Sequence, residues 1–212
     1  MAGVKGDSAK PTRRARAAET RRRMIEAAHA LFVERGYSGA TMADIATLAG
    51  VAVQTVYFTF HTKAELLQAC YDRAVLGDDE PLPPPLQPWY RALLAARSGS
   101  AALRHFAEGN TAIVARVGAL DDIVRSALHE PDAVAVRAHA ESLRRQGYQQ
   151  IVEHLDERFG LVRGLSITTA TDLLLMLGGT STYRTLVLDY GWSRGQFESW
   201  LHATATRQLL GR

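Results

Sequence analysis

Residues 41–60 read TMADIATLAGVAVQTVYFTF, and this stretch has the pattern of two short helices joined by a tight turn. Helices that cross closely at a steep angle need a small residue at the crossing and a turn residue that tolerates positive φ, and Ala46 and Gly50 supply them. The residues at the offsets that fill the wedge between the helices are apolar: Ile45, Ala49, Val51 and Val56. The stretch therefore predicts a helix-turn-helix, while a plain helical hairpin within a bundle has similar spacing.

The flanking sequence supports a helix-turn-helix. Apolar residues recur at helical spacing before it, namely Met24, Ile25, Ala28, Leu31 and Phe32. Thr20 is placed to begin that helix and Gly36 to end it. Thr41 and Thr62 each stand three positions before an acidic residue, a capping-box pattern that starts the next helix and a fourth helix.

Composition changes between Gly77 and Pro88, where five of the seven prolines lie beside three acidic residues. Because proline is excluded from helix interiors, this segment predicts a loop or hinge. Beyond it, periodicity predicts helices near 88–97, 100–116, 119–128, 132–159, 167–190 and 193–210. No segment alternates like a strand, so the predicted fold is all-α. We expect a basic disordered arm over residues 1–19, a three-helix domain with the helix-turn-helix over 20–67, and a larger helical domain over 68–212.

Charge is unevenly distributed along the chain. The net charge is +3, yet residues 1–23 hold eight basic and two acidic side chains. This basic N-terminal segment indicates either that the protein binds a polyanion or that the segment is a solvated tail.

Other features exclude several classes of protein. The single cysteine, Cys70, excludes an internal disulfide framework and a cysteine-rich zinc site. The longest apolar run, residues 173–177, is too short to cross a membrane. The histidines show no metal-ligand spacing, and phosphate-loop, zinc-protease and serine-hydrolase motifs are missing. We therefore expect a cytoplasmic protein that is not an enzyme, with no catalytic residues, no metal and no cofactor.

The second helix of the motif has a defined outward face if it lies in the major groove of DNA. The outward side chains are then Val53, Gln54, Thr55, Tyr57, Phe58 and Thr59. Gln54 suits an adenine edge, and Val53 or Thr55 suits a thymine methyl group. Tyr57 and Lys63 are candidates to bind phosphates, which fix register without reading sequence.

Residues 20–70 resemble the DNA-binding domain of the TetR (tetracycline repressor) family. The matching positions are Leu31-Phe32, Gly36-Tyr37, Thr41 to Ala46, Gly50-Val51, Thr55, Tyr57, Phe60, Thr62-Lys63 and Leu66. The resemblance implies DNA contacts by Thr41, Gln54, Thr55, Tyr57 and Lys63.

Two positions depart from the family pattern. Ala52 replaces the usual serine that caps the second helix of the motif. Phe58 replaces a residue that is commonly polar, and its ring either packs on a thymine methyl group or faces inward.

The basic N-terminal segment gains a role from this resemblance. Arg22, with Arg21 and Arg23 beside it, lies at the start of the first helix near the expected phosphate backbone. Residues 1–19 either enter the minor groove or act as a non-specific electrostatic anchor.

One helix-turn-helix reads only a few base pairs, so we expect a homodimer on a palindromic operator in double-stranded DNA. The TetR family dimerises through its last two helices as a four-helix bundle. The resemblance therefore implies an interface on segments 167–190 and 193–210, whose apolar faces otherwise belong to the core of a monomer. The interface residues expected are Leu173, Leu177, Leu186, Phe197, Trp200 and Leu201.

The middle helices are expected to enclose a small-molecule effector of moderately apolar character. The predicted lining residues are Trp89, Tyr90, His105, Phe106, Asn110, Tyr148, Met176 and Tyr183. The sequence thus predicts a DNA-binding transcription regulator, with repression as the usual mode of the family, that leaves its operator when the effector binds. The alternative is a helical small-molecule-binding protein without DNA binding.

Overall fold

The computed structural model describes residues 12–77 and 83–211, which form helices and connecting turns with no β-strand among them. The all-α prediction is confirmed. The elements are α1 (Arg13–Gly39), α2 (Met42–Ala49), α3 (Val53–Thr59), α4 (Lys63–Leu76), a 3-10 turn (Pro84–Leu86), α5 (Pro88–Ala95), α6 (Gly99–Ser126), α7 (Pro131–Phe159), α8 (Ile167–Leu177), α9 (Thr180–Tyr183), a π-helical segment (Arg184–Asp189) and α10 (Arg194–Leu210). No single helix among these residues is long and apolar enough to span a membrane.

Helix α1 begins well before the predicted start at Thr20. Thr12 caps it by accepting a hydrogen bond from the Ala15 amide at 3.2 Å. Thr20 lies inside the helix, where its hydroxyl donates to the Arg16 carbonyl. The predicted disordered arm is therefore wrong over residues 13–19, and residues 1–11 lie outside the described part of the chain. Alanine and arginine are strong helix formers, and extending an existing helix needs no new nucleus.

The α2–α3 pair has the predicted helix-turn-helix geometry. Its axes bend by 106° at the turn. Gly50 adopts the left-handed conformation at φ 66°, and its amide hydrogen-bonds to the last turn of α2. The crossing residue Ala46 and the wedge residues Ile45 and Val56 are fully buried. Ala52 lies at the N-cap of α3 without a side-chain cap, as its departure from the family pattern predicts.

The buried apolar residues form two cores. The first joins α1–α4 to the second half of α6 and the start of α7, and it includes Phe32, Ile45, Leu67, Leu120, Val124 and Val136. The second joins α5, the first half of α6, the second half of α7, α8, Tyr183 and α10, and it includes Leu93, Phe106, Ile151, Leu174 and Phe197. The first core thus crosses the domain boundary predicted at residues 67 and 68.

Two predicted helix boundaries differ from the structure. Helix α6 is continuous over Gly99–Ser126, and Gly118, which separates the two predicted helices, lies in its interior. The predicted helix over 167–190 instead ends at Leu177, since Gly178 and Gly179 break it. A Cβ on Gly178 would lie 2.9 Å from Asn110 Nδ2, so α6 approaches α8 closely only because this position has no side chain.

Candidate nucleic-acid interface

Helix α3 presents an exposed face that is anchored from behind. Val56 is fully buried in the first core and fixes the orientation of the helix. Gln54 is exposed, and Tyr57 and Phe58 are 51% and 86% exposed. The inward alternative for Phe58 is therefore wrong. The rings of the consecutive residues Tyr57 and Phe58 are therefore accessible on the outer face of α3.

Other predicted contacts on α3 lie nearer the protein. Val53 is half-buried and packs against the first core. Thr55 is half-buried, and its carbonyl accepts a hydrogen bond of 2.8 Å from the Thr59 hydroxyl. These side chains border the exposed face rather than project from it.

Two predicted contacts outside α3 already have structural roles. The Thr41 hydroxyl accepts from the Asp44 amide at 3.1 Å and donates to Asp44 Oδ2 at 2.7 Å, which begins α2. Lys63 Nζ donates to the Tyr37 carbonyl at 2.8 Å and lies 4.2 Å from the centre of the Tyr37 ring. Lys63 thereby holds the C-terminal end of α1 against the start of α4.

The arginines at the start of α1 differ in what they face. Arg22 forms two hydrogen bonds with the Glu19 carboxylate, at 2.9 and 2.6 Å, and a third with Glu26 at 2.7 Å. The hydrogen bond to Glu19 raises the pKa of Arg22, whose charge is balanced by these carboxylates. The Arg21 guanidinium instead lies 4.4 Å from the centre of the Phe60 ring, beyond the C-terminal end of α3.

Arg23 lies near the N-terminal end of α3. Its Nη1 is 3.6 Å from the position that a Cβ would take on Gly50, in the turn before α3. Arg21 and Arg23 therefore flank α3, whereas the predicted contact Arg22 points to its own helix neighbours. Helical spacing contained this signal, because Glu19 and Glu26 stand at i−3 and i+4 from Arg22.

Three of the predicted effector residues meet between α6, α7 and α8. The Tyr148 hydroxyl donates to Asn110 Oδ1, and Asn110 Nδ2 donates to the Gly178 carbonyl at 3.0 Å. The Phe106 ring packs edge-on against Tyr148 with 5.2 Å between ring centres. Burial raises the pKa of Tyr148 to about 12, which keeps its hydroxyl protonated as a donor.

The remaining predicted lining residues are dispersed. Trp89 packs edge-on against Tyr90, at 5.3 Å, and its ring fills the space beside Gly109. Tyr183 packs against Phe197. His105 is half-buried and lies 3.4 Å from Glu108, and Met176 is exposed.

Among the cavities on the described part of the chain are two that lie at helix junctions. One, of about 530 Å³, lies at the start of α10, and its lining residues are Trp192, Ser193, Gly195, Gln196, Ser199 and Trp200. The other, of about 420 Å³, lies between α1, α4 and α6, and its lining residues are Ile25, Glu26, His29, Cys70, Arg73, Ala74 and Arg116. Neither is lined by a predicted effector residue, so that assignment stays a prediction. No group of three metal-binding side chains occurs among the described residues.

Three residues of the predicted dimer interface are wrong. Phe197 and Leu201 are 0% exposed within the second core, and Leu177 is also buried, so these side chains are unavailable to a partner. Leu173, Leu186 and Trp200 are half-buried. Exposed apolar side chains nearby were missed by the sequence analysis, namely Leu188 and Tyr190. A π-helical segment shifts the register over Arg184–Asp189, which α-helical spacing does not anticipate.

The fold and this surface match known proteins. The sequence profile of the bacterial regulatory proteins of the tetR family matches residues 24–70, the segment that builds the helix-turn-helix and its supporting helices. Residues 24–70 are therefore similar to the DNA-binding domain of tetR-family regulators. The transcriptional regulator TtgR of Pseudomonas putida is 52% identical over 56 residues, 26% of this chain and 27% of TtgR. The transcriptional repressor BepR of Brucella suis is 39% identical over 67 residues, 32% of each chain.

The chain thus spans about a quarter to a third of the length of these curated relatives. Similarity of fold extends further than this. The crystal structure of NalD, the secondary repressor of the MexAB-OprM multidrug efflux pump in Pseudomonas aeruginosa, superposes with a TM-score of 0.68 at 21% identity. That comparison covers 91% of this chain and 98% of NalD, so the similarity of fold includes the helices that follow residue 70.

Proposed function

We propose that this protein is a sequence-specific DNA-binding transcription regulator that represses from a palindromic operator. The observation that carries the proposal is the exposed face of α3, where Gln54, Tyr57 and Phe58 project from a helix fixed at 106° to α2. A short helix held in this way fits the major groove. The curated relatives named above are regulators, and we propose no catalytic role.

Each side chain on this surface has a distinct proposed contact. Gln54 presents both a donor and an acceptor, which suits the N6 and N7 edge of adenine. Phe58 suits a thymine methyl group, and the Tyr57 hydroxyl suits a phosphate. Arg21 and Arg23 extend the cationic surface past both ends of α3, so they replace Arg22 as the proposed phosphate contacts. This role requires a cytoplasmic location.

We propose a homodimer that places two copies of α3 one turn of DNA apart, about 34–36 Å. Its interface is proposed to use the exposed and half-buried apolar residues of α8, the π-helical segment and α10: Leu173, Leu186, Leu188, Tyr190 and Trp200. Closure by twofold symmetry would bury this surface in both copies. The fully buried Phe197 and Leu201 support it from behind.

Release by a small-molecule effector is the proposed control. A ligand shifts a two-state equilibrium only by its difference in affinity for the two states. The proposed states differ in the position of α4, which connects the helix-turn-helix to the rest of the chain. The last turn of α4 is held by Arg116, whose Nε donates to the Ala74 carbonyl at 2.7 Å, and by Gln87, whose Nε2 donates to the Leu76 carbonyl at 3.3 Å.

Selection of bound DNA from a random duplex pool by the full chain tests the function. We expect enrichment of a palindrome with half-sites one helical turn apart. Gln54→Ala should relax the preference at one position of each half-site, at a cost of about 1–3 kcal/mol for the preferred base. Gln149→Ala, on the exposed surface of α7, is the matched control and should leave the selected sequence unchanged. Failure to enrich any sequence would favour a helical ligand-binding protein without DNA binding.

A further inference from the structure

The first two turns of α1, residues 13–19, are not covered by the rest of the described chain. All of these residues are exposed, and the first buried side chain of the helix is that of Met24. Thr12 caps the helix, which continues through Met24 into the first core. At a rise of about 1.5 Å per residue, the uncovered part is about 10 Å long. We call residues 13–19 the α1 extension.

The α1 extension is strongly basic. It carries Arg13, Arg14 and Arg16 and a single carboxylate, that of Glu19, whose oxygens accept hydrogen bonds from Arg22. No ion pair joins the three arginines of the extension to another residue of 12–77 or 83–211. Three guanidinium groups therefore lie in solvent on one short stretch of helix, which is a surface that attracts a polyanion.

Helical spacing aligns these arginines with the two that lie near the ends of α3. Residues seven positions apart lie on the same face of an α-helix, about 10 Å apart along its axis. Arg14 is thus in line with Arg21, and Arg16 is in line with Arg23. Arg13 lies between these two rows. The extension therefore continues, past α3, the cationic surface that Arg21 and Arg23 form beside it.

The opposite side of the helix has a balanced charge. Arg22 pairs there with Glu19 and Glu26, on the side of the helix that points away from the buried Met24. The arginines of the extension instead lie toward the side on which α1 packs in the first core. Along the extension, the described chain does not fill the space on that side. A polyanion that runs past α3 would occupy this space.

The helical form of the extension determines how it can meet a duplex. An α-helix with its side chains is about 10–12 Å wide, whereas the minor groove of B-DNA is about 6 Å wide. The extension therefore cannot enter the minor groove as an extended arm would. Its two rows of arginine side chains can instead reach phosphates on the two edges of that groove.

We propose that the α1 extension binds the phosphate backbone just outside each half-site, through Arg13, Arg14 and Arg16. It lengthens the DNA site beyond the bases that α3 faces and adds no sequence preference, since phosphates carry none. This inference rests on the function proposed above.

Duplexes of two lengths test the extension on the selected palindrome. One duplex ends at the palindrome, and the other continues by one helical turn, about 10 base pairs, beyond each end. The full chain should bind the longer duplex about tenfold more tightly, because only that duplex offers the flanking phosphates. Flanks of A·T and of G·C base pairs should give equal Kd values.

The triple variant Arg13→Gln, Arg14→Gln and Arg16→Gln should bind both lengths nearly equally. On the longer duplex, its slope of log K against log salt should fall by about 0.9 for each lost contact. The matched control removes the same charge from exposed arginines in the later part of the chain, by Arg104→Gln, Arg163→Gln and Arg207→Gln. This control should keep both the preference for the longer duplex and the slope.

Ala17→Pro tests the helical form while keeping every arginine. Proline removes the hydrogen bond to the Arg13 carbonyl and clashes with the preceding turn, so the first turn of α1 should unwind and the helical circular-dichroism signal should fall. The melting temperature should not change, since the extension lies outside both cores. The preference for the longer duplex should be largely lost.

Several results would overturn the extension alone. They are equal binding of both duplex lengths by the unmodified chain, an unchanged preference in the triple variant, or an unchanged preference in Ala17→Pro. Tighter binding of A·T flanks would also overturn it, because that preference indicates entry into the minor groove. Failure to bind the palindrome at either length would instead contradict the proposed function, and the extension with it.

Discussion

Ser38 Oγ donates a hydrogen bond of 2.8 Å to Glu130 Oε1, which joins the C-terminal end of α1 to the corner between α6 and α7. The two residues are 92 positions apart in the chain. This contact links the helix that precedes the helix-turn-helix to the later helices of the chain.

A double-mutant cycle on this pair should measure a positive coupling energy. Ser38→Ala and Glu130→Ala each remove the hydrogen bond, so their combined effect should be smaller than the sum of the single effects. We expect a coupling of about 0.5–1.5 kcal/mol in the free energy of unfolding, measured by urea titration. Strictly additive effects would show that the bond does not contribute in solution.

Ala52→Ser should stabilise the protein by restoring a cap at α3. The N-cap position has extended backbone angles and lacks a side-chain hydrogen bond, so a serine hydroxyl can reach the amides of the first turn. The expected gain is about 0.5–2 kcal/mol, read as a higher Tm. Ala52→Gly is the comparison and should gain less, since glycine supplies no hydroxyl. An equal Tm for serine and alanine would contradict the cap.

Arg21→Gln and Arg23→Gln should each reduce the salt dependence of DNA binding. Each lost phosphate contact lowers the slope of log K against log salt by about 0.9. Arg22→Gln is the matched control on the same helix turn. It should weaken binding, since it leaves Glu19 and Glu26 unbalanced, yet keep the slope. A slope that changes only with Arg22→Gln would reverse this assignment.

Tyr148→Phe should destabilise the second half of the chain. The change leaves the buried Asn110 Oδ1 without its donor, at a cost of about 1–3 kcal/mol. A loss below the error of a urea titration would show that water or another donor replaces the hydroxyl.

The same tyrosine should make stability fall in alkali. Burial raises the pKa of Tyr148 from 10.0 to about 12 in the folded state, so the folded state binds the proton more tightly than the unfolded state. This contribution is fully present below pH 10 and is lost as the pH rises to about 12. Unfolding measured across this range should show a shallower decline for Tyr148→Phe than for the unmodified chain, and identical declines would contradict the shift.

Leu188→Glu should convert the proposed homodimer to a monomer in sedimentation velocity. Leu188 is 65% exposed on the π-helical segment, so a charge there should change the stability of the isolated chain little. The same charge buried in an apolar interface should weaken dimerisation strongly. Leu143→Glu, at a 51% exposed position of α7, is the control and should remain dimeric. A monomeric unmodified chain would refute the proposed homodimer.

Local signals in the sequence predicted most helix boundaries around the helix-turn-helix. Thr41, Gly50 and Thr62 act within four residues of themselves, through caps and a left-handed turn, so their effects are legible from the sequence. The start of α1 was missed because an exposed, arginine-rich helix has no apolar period.

Errors elsewhere had tertiary causes. Whether Phe197 faces its own core or a partner depends on where α6 lies, which the local pattern does not contain. The contact that Gly178 makes with Asn110 similarly joins residues 68 positions apart, so the local pattern does not contain it.

The first core has a practical consequence for protein engineering. Leu67 of α4 shares that core with Leu120 and Val136, which belong to α6 and α7. A chimera with its junction between residues 67 and 68 would separate the two sides of this core. Apolar surface would then be exposed on both sides, which favours aggregation. A helix-turn-helix domain transferred from this protein must therefore include the end of α6 and the start of α7. Otherwise, the apolar residues that these helices cover must be redesigned.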